Sequence, residues 1–394
     1  MYFDPAPKTR REDLYDFEEE LRAFMEAING SDRLILVTGL RRTGKTSLVF
    51  TGLNTCGAVY AYLDGSKFFG RSVISRRDFI TMLQAELNDL IKNLGWRKRI
   101  KEILSNVNGV EISSSGIKLT WGRRPSEAVD IGYLLKSFGD SAAEDGKKFV
   151  FVLDEAQEFG KLGGYNLLGE LHFLYERAEN VKVVVTGSQF GFLHRFLKLN
   201  DPNSPLYGRM YAEVKMGRLD KRKSLEFLRK GFEQLGWMPD DEILEEAVNN
   251  VDGIIGWLVF IGYEAKKHGK LDKRLLKEIL DNAAKLAARE LENFLMYRSE
   301  ARDRYLAILA MLAKSPSRWS EIKNRLETLK GESISPKVVS NLLKNLQDAN
   351  IIRKTDEVYE ISDPLLKHAI NKIILRKSFG KESTTKLRRR SLSV

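Results

Sequence analysis

Gly39, Gly44, Lys45 and Thr46 stand at the spacing G-x-x-x-x-G-K-T within the string GLRRTGKT. Glycines at those places let a backbone wrap a phosphate, with several N–H groups turned inward at a helix N-terminus. Lys45 would reach the β- and γ-phosphates, and the Thr46 hydroxyl would ligate Mg²⁺. Arg42, Thr43 and Ser47 complete the wall of such a loop. A second string, FVFVLDEAQ over 149–157, is five apolar residues that end in two carboxylates. Parallel sheets bind ligands at the C-terminal ends of their strands, so Asp154 and Glu155 would face the phosphates. Asp154 would hold Mg²⁺ through its water shell, because this ion dehydrates reluctantly. Glu155 would orient and deprotonate an attacking water.

Two further polar groups lie downstream. The string VVVTGSQFG carries Thr186, Ser188 and Gln189 to the end of another apolar run. They suit a γ-phosphate sensor as well as a plain strand-ending turn, and the residues alone leave both open. Arg209, in SPLYGRM, is placed to stabilise charge on a transferring phosphoryl group or to make a surface ion pair. Acting across a subunit boundary, it would require a homo-oligomer.

These residues need a frame. The loop follows a short apolar run at 34–38, and further strand-like runs lie at 58–63, 149–153, 181–186 and 211–216. Helical spacing separates most of them, for example over 79–94 and 167–178, and it also spans 10–29. Strands alternating with helices imply a parallel α/β sheet covered on both faces. Two period-two runs about Ser113 to Gly116 predict a β-hairpin inserted near 107–122. The expected division is an α/β nucleotide domain at 1–217, a helical lid at 218–297, a winged helix at 298–376 and a basic tail at 377–394.

The winged helix is read from Ser335-Pro336, a cap residue followed by a first-turn proline. The helix to Ala349 puts Val338, Val339, Leu342, Leu343 and Leu346 on one face and Lys337, Ser340, Asn341 and Lys344 on the other. Lysine and asparagine on an exposed face suit phosphates and base edges of a major groove. Two short strands follow, joined through Asp356-Glu357, so the tip of the wing is acidic. In the tail, Arg388, Arg389 and Arg390 would raise affinity for any polyanion without sequence choice.

Net charge sharpens this. From 298 to 372 there are 14 Lys/Arg against 10 Asp/Glu, and from 376 to the end seven against one. These segments carry +4 and +6, hence +10 of the chain's +11. Such asymmetry points a C-terminal region at a polyanion. The single cysteine, Cys56, and four scattered histidines exclude an internal disulfide and a Cys/His metal site. No apolar stretch is long enough for a membrane span, and the N-terminus lacks a signal-peptide core. The chain reads as cytoplasmic, with no membrane partner.

Taken in order, these motifs resemble a AAA+-type ATPase, and more narrowly the archaeal ATPases of the STAND class, relatives of the archaeal origin-recognition ATPases. The resemblance runs from Arg10 to Ile374. It rests on the phosphate loop, RRED-L (10–14), LDEAQ, TGSQFGFL (186–193), SPLYGRM (204–210), DGIIGWL (252–258) and YEISDPLL (359–366). It implies a AAA+-like parallel sheet with a helical lid and a C-terminal winged helix, and ATP rather than GTP as the nucleotide. It further implies Arg10 and Arg11 near the base, Ser188 or Thr186 as the sensor, and nucleotide sensing by Arg209. One departure stands out: relatives often carry Gly-x-Pro in the lid, where this chain has Gly253-Ile254-Ile255. Mg-ATP would close the lid and reorient the winged helix, with double-stranded DNA or a DNA-bound protein as partner, and conversion to ADP would reset it. The other reading is a STAND signalling scaffold whose winged helix makes protein or intramolecular contacts. A helicase is disfavoured, because a second motor domain is missing from the motifs.

Overall fold

A computed structural model of the chain describes residues 1–105, 107–113, 116–120 and 128–372. The chain divides into two compact units, Ala6–Gly217 and, together, Met1–Pro5 with the chain from Arg218 on. The first five residues, grouped with the nucleotide domain in the sequence reading, thus belong with the second unit.

The first unit runs α1 (Glu18–Asn29), β1 (Leu34–Gly39), α2 (Lys45–Thr55), β2 (Val59–Asp64), α3 (Arg76–Leu94), α4 (Arg97–Ile103), β3 (Val110–Ser113), β4 (Gly116–Leu119), α5 (Ile131–Glu144), β5 (Phe149–Asp154), α6 (Leu167–Arg177), β6 (Val181–Gly187), α7 (Phe190–Leu197) and β7 (Ala212–Met216). Five strands form one parallel sheet in the order β2-β5-β6-β1-β7. This is the AAA+-like core that the resemblance implies. β1, β5 and β6 are covered on both faces, which is why they read as apolar runs rather than alternations. Leu34, Leu36, Ala61, Leu63, Phe149, Phe151, Val183 and Val185 turn to one face, into a core shared with α3, α5 and α6. Lys182 breaks the β6 run, yet it stays buried because its ammonium donates to the Gly30 and Asp32 carbonyls, each at 2.6 Å, beyond the end of α1.

The hairpin forms as expected, with Val110 opposite Leu119 and Ser113 opposite Gly116. Its β4 buries Ile117 and Leu119 against α3. Side chains of that helix satisfy the strand's amides: Asn88 Oδ1 accepts from Ile117 N at 2.8 Å and Gln84 Oε1 from Leu119 N at 2.7 Å. The expected helix over 10–29 is shorter than its periodicity suggests. Only a 3-10 turn forms at Arg11–Asp13, and α1 begins at Glu18. Asp16 and Phe17 adopt left-handed backbone (φ 59° and 62°), which no continuous helix tolerates. Leu14, Tyr15 and Phe17 are buried all the same, so the helical spacing recorded burial rather than helix.

The second unit contains α8 (Lys221–Glu233), α9 (Asp241–Val251), α10 (Ile255–His268) and α11 (Lys273–Met296). α12 (Arg302–Lys314), β8 (Ser317–Arg318), α13 (Trp319–Lys330), α14 (Pro336–Asp348), β9 (Ile352–Thr355) and β10 (Val358–Ile361) follow, and 364–372 is helical. The small sheet has the antiparallel order β8-β10-β9. Phe3 is buried between Phe227 and Phe232, in a notch that Gly231 and Gly262 leave open; a Cβ at either glycine would strike its ring. Trp257, buried in α10, donates its indole N–H to Asp363 at 3.0 Å, and Arg218 joins Asp252 to the Ser362 carbonyl. Among the described residues no helix is long and apolar enough to cross a membrane.

Gly253 begins the Gly-Ile-Ile segment with φ +70°, and a Cβ there would run into the Leu219 carbonyl. That carbonyl is backbone, so nothing flexible can yield. Gly253→Ala is expected to destabilise this unit by ~2–3 kcal/mol, read as a lower urea midpoint. An unchanged midpoint would show that the two backbones have room to separate.

Candidate active site

Gly44 closes the phosphate loop in left-handed conformation (φ 91°) and makes no side-chain cap for α2, so the helix opens with bare amides facing the loop. Gly39 is also required, for a Cβ would lie 2.6 Å from the Met216 carbonyl. Thr43 is buried and ties the loop to itself through a 2.8 Å bond to the Leu40 carbonyl. Arg42 takes a left-handed conformation (φ 65°). Lys45, 6% exposed, folds its ammonium back on the Gly39 and Leu40 carbonyls at 3.2 and 2.7 Å. Burial lowers its pKa, against the opposing pull of the Glu155 and Asp154 carboxylates. Ser47 Oγ accepts from Lys8 N at 3.0 Å.

β5 delivers the two carboxylates. Asp154 Oδ2 accepts from Thr46 Oγ1 at 3.1 Å and from the Tyr62 hydroxyl, and Oδ1 accepts from Thr186 Oγ1 and from Glu155 N at 3.0 Å. Glu155 sits in left-handed backbone (φ 46°), which turns its side chain off the strand line. Its Oε2 accepts from Gln157 Nε2 at 2.6 Å, Ser188 Oγ at 2.7 Å and Ser188 N at 3.3 Å. Burial alone would raise the Glu155 pKa. Lys45, Arg41 and the bonds from Gln157 and Ser188 together outweigh it and hold the group below the usual carboxylate range. Gly65 lets the turn after β2 lie on this strand end, where a Cβ would come within 2.8 Å of the Asp154 and Glu155 carbonyl oxygens.

The structure therefore gathers Gly39, Thr43, Gly44, Lys45, Thr46, Asp154, Glu155, Thr186 and Ser188 at one sheet edge. It also divides the two hydroxyls: Thr186 serves Asp154, and Ser188 serves Glu155. Gln189 instead occupies the cap position of α7 without a side-chain cap bond.

Arg209 is elsewhere. β7 starts at Ala212 beside Ile35 and reaches Gly39 only at Met216, so Arg209 precedes the strand at the opposite edge. Five residues of strand separate the two edges by about 15 Å. Its guanidinium is held by Glu176 at 2.9 Å and His172 at 3.2 Å, beside Tyr175. Within one chain it does not meet the phosphate loop. Arg10 pairs with Asp13 (2.7 Å) and Arg11 with Glu18 (2.6 Å), so both guanidiniums are engaged locally. The stretch before them does approach α2: Lys8 and Thr9 carbonyls accept from Thr51 and Asn54.

In the winged helix, Lys337, Ser340, Asn341 and Lys344 are all exposed along α14, while Val339, Leu342, Leu343 and Leu346 are buried. Ser340 Oγ accepts from Trp319 at 3.2 Å. Pro336 takes the first turn, but Ser335 makes no side-chain cap bond. Arg388, Arg389 and Arg390 lie outside the described residues.

Sequence reasoning passed over three residues. Tyr62 reaches Asp154 only because β2 is the neighbour of β5, a pairing no local pattern announces. Gln157 was visible in LDEAQ, and Arg41 lay in plain sight inside the loop.

Comparison with known proteins gives the family and the fold. The family described as an ATPase domain predominantly from Archaea matches residues 14–261. The C-terminal winged helix-turn-helix domain of MCM proteins matches residues 299–362. Among solved structures, the Walker-type ATPase paby2304 of Pyrococcus abyssi is 34% identical, covers 94% of this chain and all of its own length, and superposes with a TM-score of 0.77. The ORC2 protein of Aeropyrum pernix, solved in ADPNP–ADP complexes, is 14% identical with a TM-score of 0.55 over 95% of this chain and 98% of its own. That second likeness is one of fold alone. No curated protein sequence matches the chain.

If hydrogen bonds from Gln157 and Ser188 help hold Glu155 ionised, removing either must raise its pKa. Gln157→Leu and Ser188→Ala are each expected to move the carbon-13 titration of the Glu155 carboxyl to higher pH. Coincident curves for wild type and both variants would contradict the assignment.

Proposed function

The chain belongs to the family of ATPase domains found predominantly in Archaea, and from that premise we propose that it is an ATP-operated switch that acts through its winged helix. The observation that carries the reading is the meeting of Thr46 Oγ1 and Asp154 Oδ2 at 3.1 Å, with the Lys45 ammonium under the pull of the Asp154 and Glu155 carboxylates. A hydroxyl and one carboxylate suit Mg²⁺, which keeps most of its positions for water and phosphate oxygens. A pair of this size would suit an ion that arrives with its nucleotide. When bound, the ion neutralises charge on the β- and γ-phosphates.

The protein's own groups then have distinct tasks. Amides from Gly39 to Ser47 cradle the phosphates, and Lys45 exchanges its loop carbonyls for β- and γ-oxygens. Glu155, kept as a carboxylate, orients the attacking water and takes its proton. Its lowered pKa makes it a modest base, so its larger contribution is alignment and negative charge behind the water. Ser188 and Gln157 fix that carboxylate, and Thr186 fixes Asp154. The lid would adjust to the nucleotide state and carry the winged helix with it through Trp257–Asp363 and Arg218–Ser362.

Duplex DNA is the partner this reading favours. The support is the exposed row of Lys337, Ser340, Asn341 and Lys344 on α14, together with the match to a winged helix-turn-helix family. One observation favours the signalling-scaffold reading instead. The wing turns through Asp356 and Glu357, which repel a phosphate backbone. The contacts between the winged helix and α8–α11 leave the α14 row exposed, so they do not compete with DNA for it.

Lys45→Ala is expected to abolish nucleotide binding. Glu155→Gln should bind ATP as wild type does while turnover falls about 10²–10⁴-fold; normal turnover by this variant would remove Glu155 from the mechanism. Lys337→Ala with Lys344→Ala should weaken duplex binding and flatten its dependence on log salt by about two. Unaltered affinity and slope in that double variant would favour the scaffold reading.

A further inference from the structure

The phosphate loop carries two arginines, and the first, Arg41, is turned to the reacting end of the site. Its Nε donates to Ser188 Oγ at 3.3 Å, and that same oxygen lies 2.7 Å from Glu155 Oε2. The guanidinium stacks over the Phe69 ring, 5.1 Å from its centroid. Phe69, an exposed ring, directly follows the short turn Gly65–Phe68, and Gly65 lies against the Asp154 and Glu155 carbonyls. The strand end that supplies Glu155 therefore also positions the turn that leads into that ring. Arg209, the arginine expected to balance charge on the phosphoryl group, is held by Glu176 and His172 at the far sheet edge.

We propose that Arg41 is a catalytic residue that supplies, from within the same chain, the positive charge for the phosphoryl group in flight between ADP and water. The proposal rests on the ATPase reading above. In the step, the bond from the β–γ bridging oxygen to the γ-phosphorus breaks and its electron pair leaves with ADP. The water oxygen bonds to phosphorus, and its proton passes to Glu155. Arg41 makes and breaks no covalent bond. Its planar fork donates to non-bridging oxygens, where negative charge is spread in the transition state. Lys45, a compact ammonium lodged among loop carbonyls, holds the ground-state phosphates. Arg41 is seated on Ser188 Oγ, and its fork would turn onto phosphoryl oxygens when nucleotide arrives.

The test uses the full chain and compares Arg41→Ala and Arg41→Gln with wild type in turnover, ADP affinity and affinity for ADP with aluminium fluoride, a mimic of the phosphoryl group in flight. The proposal expects both variants to lose about 10²–10³-fold in kcat and to bind ADP within about threefold of wild type. They should also lose the extra affinity that aluminium fluoride confers. Arg41→Gln, closer in shape, keeps the test open if Arg41→Ala fails to fold. Turnover within threefold of wild type overturns the proposal, as does an equal loss for ADP and its fluoride complex. Recovery of kcat at higher pH also overturns it, since Arg41 would then act only by keeping Glu155 ionised. Mixing Arg41→Ala with Lys45→Ala chains should restore no activity; restoration would mean that the arginine works between chains. A failed ATPase reading gives a different result, ADP binding by Lys45→Ala equal to wild type.

Discussion

One buried carboxylate holds the site together. Asp154 is 6% exposed, and an uncompensated charge at that depth costs several kcal/mol. It is compensated from four directions: Thr46 at the start of α2, Tyr62 on β2, Thr186 on β6 and the amide of Glu155. Each bond also fixes the position of its donor. The carboxylate thereby sets the distance from phosphate loop to strand end, and it orders three strands of the sheet at their functional edge. Tyr62 is backed by Phe50 at 4.7 Å, so the phenol cannot swing away without losing a ring contact. Replacing one donor by an apolar group leaves a buried acceptor short of a partner, which is dearer than the loss of one ordinary hydrogen bond.

Glu155 follows from this arrangement. Its left-handed backbone departs from β5 just where Asp154 anchors the strand, and the departure brings its carboxylate to Ser188 and Gln157. Two cations, Lys45 and Arg41, bear on it. A carboxylate so placed stays charged across the neutral range, and in the proposed reaction it would act by position rather than by basicity.

How much of this was legible in the sequence depended on how local the cause was. The phosphate loop was legible because only glycine suits Gly39 and Gly44, and the carboxylate pair because an apolar run must end at a sheet edge. The α/β alternation, the hairpin and the exposed face of α14 were likewise written in local periodicity. Arg209 was not, since deciding which edge it occupies requires knowing that β7 runs parallel beside β1. Tyr62 demanded the strand order, and the start of α1 demanded two left-handed residues that an apolar pattern conceals. Phe3 shows the same limit from the other side. Its binding notch exists because Gly231 and Gly262, 31 positions apart, meet across α8 and α10.

Phe3 begins a short segment that is bonded at both ends. It is seated among helices of the second unit, and five residues later Lys8 is bonded to Ser47 and Thr51 on the helix that follows the phosphate loop. Within the second unit the winged helix is joined to the lid by Trp257–Asp363 and by Asp281 with His368. The central claim is that nucleotide state and duplex binding are linked, and linkage of affinities is reciprocal. The most direct measurement is duplex affinity of the Glu155→Gln chain saturated with ATP and, separately, with ADP. The account predicts different affinities, with duplex shifting the ATP-to-ADP preference by the same factor; equal duplex affinity in the two states would contradict it.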